Sequence, residues 1–158
     1  MIESISTQIE RVAIARVEPG QDLLESIETI AERERISSGI ILSLVGSLSK
    51  ANLRNLKVFP QMFPVTDDDR HYEDVDGPLE ILNASGNICK GSDNKIHVHA
   101  HISVSKVSNG RVVVMGGHLA PGNETFVMVE VFIGVLKEGS FTRTMNSDRK
   151  SWEIFFPR

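Results

Sequence analysis

Residues 95–104 read Lys-Ile-His-Val-His-Ala-His-Ile-Ser-Val, an unbroken alternation of side-chain character over ten positions. Period two marks a β-strand with one buried face, because successive side chains leave a pleated backbone on opposite sides. Ile96, Val98, Ala100, Ile102 and Val104 share the face that seeks a core, while Lys95, His97, His99, His101 and Ser103 share the other. Shortly downstream, Asn109-Gly110 supplies the positive-φ residues that a type I′ hairpin turn requires, and Arg111-Val-Val-Val-Met115 follows as the return strand. A chain with this segment must build an antiparallel sheet and cover one side of it.

The hairpin also predicts a site. With Ser108 opposite Arg111, counting along the ladder puts His118 opposite His101 and diagonal to His99, on the same face. Opposed Cβ atoms lie roughly 5 Å apart and diagonal ones roughly 7 Å. Imidazoles at such spacing can converge on one ion with bonds of about 2.0–2.1 Å. His97 stands four residues from His101, about 13 Å along the strand, and is left as a spare or an outer partner. Three neutral imidazoles with an open fourth position describe a divalent-metal site, with zinc as the first choice and iron, nickel or cobalt also compatible. The competing reading is a polar sheet face, either solvated or turned towards another subunit. Gly116-Gly117 would admit a bulge, which would shift the register by one, or allow another chain to approach.

Elsewhere the chain is regular. Residues 11–17 read as a strand stopped by Pro19-Gly20. Asp22 begins a helix, with Glu25 three residues on as in a capping box, Leu23, Leu24, Ile27, Ile30 and Ala31 on the inner side, and Glu28, Glu32 and Arg35 on the wet side. Ser37-Ser38-Gly39 is expected to close that helix. Residues 39–48 are almost continuously apolar and predict a strand covered on both faces. Strands are further expected over 51–59, 79–88, 111–115 and 125–136, with an edge strand in the tail "SWEIFFPR". The stretch 60–78, with three prolines and many acids, is expected to be a long exposed loop. The order predicts an α+β domain, a mainly antiparallel twisted sheet with one principal helix packed on it. A length of 158 residues suits a single domain over 1–158.

Charge and cysteine content narrow the function. The formal net charge is −4, with 17 Lys and Arg against 21 acids and no basic run to track phosphates. The single cysteine, Cys89, excludes an internal disulfide framework and is expected to be a buried structural thiol. The N-terminus has neither the basic start nor the apolar run of a signal peptide, and no stretch approaches the ~18 apolar residues of a membrane span. A cytoplasmic protein with no membrane partner is the expectation.

The segments "GQDLLESIETIAERERISSGIILSLVGSLSKANLR", "GPLEILNASGNI", "HAHISV…NGRVVVMGGHL" and "VEVFIG" occur in the order of the plants-and-prokaryotes-conserved (PPC) domain, which plants attach to AT-hook DNA-binding motifs. The chain resembles that family over roughly residues 10–136. The most specific match is His99 and His101 followed by Gly116 to Leu119, supported by Leu53-Arg54 and by Gly77 and Glu80. The resemblance implies a PPC-like α+β fold assembling as a homotrimer, a DNA-binding and transcription-regulatory role, and, in some prokaryotic members, a metal on the histidine cluster. No Arg-Gly-Arg-Pro AT-hook is present to enter a minor groove, so regulation through protein partners is the expected mode. The alternative is a metal-dependent enzyme that acts on a small ligand at the cluster.

Three further residues need partners. Arg54 is expected to anchor an anion, a subunit contact, or an ion pair with an acid such as Glu80. Glu80 is a possible outer partner for a histidine, which metal sites need. Glu130, an acid amid "VMVEVFIG", requires an arginine within the chain or across a trimer interface. His71-Tyr72 is expected to be solvent-exposed.

Overall fold

The computed structural model describes residues 2–156. The element order is β1 (Ile9–Val17), α1 (Leu23–Arg33), β2 (Ser38–Leu56), β3 (Arg70–Lys90), β4 (Ile96–Ser108), β5 (Arg111–Leu119), β6 (Glu124–Leu136), β7 (Thr142–Asn146) and β8 (Ser151–Phe155). The first six strands form one sheet in the order β1-β6-β2-β3-β4-β5, and β7-β8 is a separate hairpin. Every strand pairing is antiparallel. The α+β class is as expected: a mainly antiparallel sheet with one helix on it.

Helix α1 forms where its apolar spacing requires it, with Leu23, Ile27 and Ala31 fully buried against the sheet. Asp22 caps its first turn by accepting from the Glu25 backbone N–H at 3.0 Å, while its second oxygen accepts from Gly122 N–H at 2.6 Å. The reciprocal half of the expected capping box is replaced by this tie to the β5–β6 turn. The helix ends earlier than Ser37-Ser38-Gly39. Arg35 N–H donates to Glu32 C=O and Ile36 N–H to Ala31 C=O, a Schellman closure with Arg35 at φ 54°.

The core lies between α1 and the inner sheet face, where Val129, Val131, Ile133, Leu48, Ile88, Ala100, Ile102 and Val104 meet. Residues 39–48 and 51–59 are not two strands. Residues 39–48 and 51–56 belong to the 19-residue β2, which ends at Leu56 short of residues 57–59, and whose ladder tolerates irregularities at Ile41/Ser43 and Gly46/Leu48. Nor is β2 covered on both faces: Leu42 and Val45 stand exposed, as do Val12 and Ile14 of β1 across β6.

The expected loop 60–78 is shorter than predicted. β3 begins at Arg70 and pairs with Lys50–Leu56, leaving a connection in which Thr66 caps a single 3-10 turn, Asp67–Asp69. The acids Glu73, Asp74 and Asp76 lie exposed on β3, while Ala51, Leu53 and Val75 of the same strand pair are buried in the core. The tail does form a strand, β8, but it pairs with β7 rather than the main sheet edge; Pro157 and Arg158 lie outside the described residues. Among the described residues, no helix is long and apolar enough to cross a membrane.

A left-handed conformation at a side-chain-bearing residue is strained, and glycine relieves it. Arg35→Gly is expected to raise stability by about 0.5–1 kcal/mol, read as a rise of a few degrees in the thermal-unfolding midpoint. An unchanged or lower midpoint would show that the Arg35 side chain itself holds the closure.

Candidate metal centre

β4 and β5 pair in the register set by Asn109-Gly110, from Ser108↔Arg111 to His101↔His118, with no shift between them. Gly116-Gly117 produces no bulge. It instead admits a strand of the same chain: β2 reaches β5 at Leu53↔Leu119 and Arg54↔His118, and Asn55 donates from Nδ2 to Gly116 C=O at 3.0 Å. A Cβ on Gly117 would come within 2.8 Å of Asn55 Nδ2 and 3.0 Å of the Arg54 carbonyl oxygen. The sheet thus curls until its far edge returns to β2, and that curl brings Arg54 beside His118.

His99, His101 and His118 each offer one ring nitrogen such that all three atoms lie within 4.8 Å of one another. Ring centroids are 5.0 Å apart for His99 and His118, 5.5 Å for His101 and His118, and 5.6 Å for His99 and His101. Tetrahedral coordination at about 2.0–2.1 Å asks for nitrogens roughly 3.4 Å apart, which small side-chain torsions from this arrangement reach. The donor set suits a borderline-soft divalent ion, and such an ion would supply Lewis acidity at the open position.

Two of the rings, His118 and His99, are held neutral. Burial first, then the charge of Arg54, pulls the half-buried His118 down to about 3 from the ordinary 6.5, with His99, His101 and Arg70 adding to the effect. His99 is lowered by burial, then by Arg143, His101 and Arg54. Neutral imidazole is the form that binds metal.

Arg143 had no signal in the sequence. It sits on β7, is only 5% exposed, and donates from Nη2 to Asn87 Oδ1 at 2.9 Å and to His99 Nδ1 at 3.2 Å. Its Nη1 donates to the Trp152 carbonyl on β8, while Nε has no partner among the described residues. Nothing in the pattern of "TRTMN" links it to a histidine 44 positions earlier; only the packing of the β7–β8 hairpin does.

The remaining expected residues separate. His97 turns to Asp93, with Nε2 2.9 Å from Oδ1, and stacks at 4.2 Å and a 41° tilt on Trp152. Glu80 pairs with Ser47 and Ser105, four positions along β4 from His101, so it is neither beside the cluster nor bonded to Arg54. The Arg54 side chain makes no hydrogen bond or ion pair among the described residues; its cross-strand neighbours are Tyr72 and His118. Glu130 is half-buried opposite Arg16, whose guanidinium turns instead to Glu18. Cys89 is fully buried, and burial pushes its thiol up despite the neighbouring Arg143. His71 and Tyr72 are exposed as expected, though on β3.

An antiparallel PPC-type sheet with one capping helix and a three-histidine cluster on its outer face defines the class. The chain belongs to the Plants and Prokaryotes Conserved (PCC) domain family, whose model matches residues 4–137. A bifunctional protein GlmU from Synechococcus sp. (strain JA-3-3Ab) is 35% identical over 133 residues, 84% of this chain and 18% of that protein. The chain therefore spans less than a fifth of that curated relative. A metal-containing protein from Archaeoglobus fulgidus has the same fold, at a TM-score of 0.76 and 23% identity, covering 98% of this chain and 99% of its own. A Bacteroides thetaiotaomicron protein described as a candidate DNA-binding protein aligns at a TM-score of 0.74 and 21% identity, covering 97% and 98%.

The His118 imidazole takes up its proton near 6.5 when unfolded and near 3 when folded. Between those values the unfolded state binds more protons, so this contribution is full above about pH 6.5 and lost as pH falls towards 3. Metal-free protein is expected to lose thermal stability from about pH 7 to about pH 4, and His118→Gln to flatten part of that slope. Parallel slopes for the two proteins would contradict the assignment.

Proposed function

We propose that this PCC domain binds one divalent metal ion, zinc first and iron, nickel or cobalt as alternatives, on His99, His101 and His118. The observation that carries this is the convergence of three histidine ring nitrogens within 4.8 Å. The metal-containing protein of the same fold from Archaeoglobus fulgidus is in keeping with it. Residues 1–158 act as one domain of a cytoplasmic homotrimer, and Val12, Ile14, Leu42 and Val45 supply an exposed apolar face of the kind that subunits cover. In this reading the domain is DNA-associated and transcription-regulatory through protein partners, because a net charge of −4 supplies no phosphate-tracking surface.

A second reading, a metal-dependent enzyme, is favoured by one observation. A concavity of about 380 Å³ opens beside His101 and His118, within the range of small-molecule sites.

Elemental analysis of purified protein and of the His99→Ala/His118→Ala variant separates metal binding from a polar sheet face. Stoichiometric metal in the first and none in the second is expected; none in either after reconstitution would overturn the assignment. Light scattering is expected to give a trimer mass with or without chelator. Retention on duplex DNA is expected to be weak and abolished by modest salt, since few phosphate contacts are available. Tight, salt-dependent retention that is lost on substituting Arg or Lys on one face would restore direct DNA binding.

A further inference from the structure

The concavity next to the cluster is lined by Arg54, Asn55, Arg70, His101 and His118. No carboxylate is among these lining residues. Arg54 and His118 are direct cross-strand neighbours, and the Arg54 guanidinium has no hydrogen-bond or ion-pair partner among the described residues. Arg70 pairs through Nη1 with Asp67 Oδ1 at 3.0 Å, and Asp67 stands largely in solvent. On the other flank Arg143, which faces Asn87, Cys89 and His99, leaves its buried Nε unpartnered. No carboxylate joins the three histidines in their cluster.

Three neutral imidazoles leave the full charge of a divalent ion uncompensated, and arginines on both flanks add to the positive field. Electroneutrality then has to come from the ligand. A guanidinium carries parallel N–H donors matched to two oxygens of a carboxylate or phosphate. Leu56 and Val65 give the same concavity an apolar wall.

We infer that the cluster of His99, His101 and His118 takes a small oxyanion-bearing ligand, a carboxylate or phosphate with a short apolar body, held by Arg54 and Arg70 beside the metal's open position. This rests on the metal reading above, and the test is arranged so that the two fail separately.

The experiment is a titration of cobalt-loaded protein with acetate and, separately, inorganic phosphate, read by the visible cobalt spectrum with cobalt content measured on the same samples. Wild type is expected to change its spectrum with at least one anion, and the anion that binds more tightly distinguishes carboxylate from phosphate. Arg54→Gln and Arg70→Gln are expected to keep their cobalt and weaken that binding about tenfold each, with Arg54→Lys recovering part of the loss. Cobalt-loaded protein whose spectrum ignores both anions, or whose response is the same in both Gln variants, overturns the anion site and leaves the metal site standing. Should wild type take up no cobalt, the metal reading fails, and NMR of metal-free protein decides the anion site. Shifts of the His118 ring signals with either anion, lost in Arg54→Gln, support it; their absence overturns it. Two Gln variants on different strands guard against misfolding of one, with circular dichroism as the check.

Discussion

The candidate site depends on the cross-strand register between β4 and β5. Every ladder position from Ser108↔Arg111 to His101↔His118 keeps step, because a two-residue turn at Asn109-Gly110 leaves no slack. A slip of one residue would send His118 to the core face and Leu119 to solvent. Burying Leu119 and holding His118 beside His101 are therefore the same event. The hydrophobic demand that stabilises the sheet also fixes the ligand geometry.

Two further pieces of backbone act on that register. Gly116 and Gly117 leave space for β2, so that Asn55 can bond to the β5 backbone and Arg54 can stand opposite His118. The β7–β8 hairpin, which lies beyond the residues matched by the family model, reaches the cluster from the other side through Arg143. Arg143 holds His99 Nδ1 as an acceptor, so with a neutral ring the proton sits on Nε2. Metal loading at either nitrogen of His99 therefore requires that this hydrogen bond be rearranged. The hairpin and the metal compete for one ring.

Much of the fold was legible because local rules dominate there. The strict alternation in 95–104 set both faces of β4, and Asp22 with its following apolar spacing set the start of α1. In 50–56 and 70–76 the buried positions are Ala51, Leu53 and Val75, an apolar alternation too short to outweigh the prolines and acids nearby. The helix end was misplaced because a Schellman closure usually announces itself with glycine, and here arginine occupies that position.

The sequence by itself determined the hairpin, its register and the three histidines that share its polar face, since turn geometry and side-chain alternation act over a few residues and need no knowledge of the rest of the chain. Only the tertiary structure decided which other groups meet them. Arg54, Arg70 and Arg143 reach the cluster from three different strands, and Glu80 and His97, plausible on spacing alone, are carried elsewhere. Long-range neighbours follow from how the sheet curls and where a hairpin packs, and those depend on buried contacts across the whole domain.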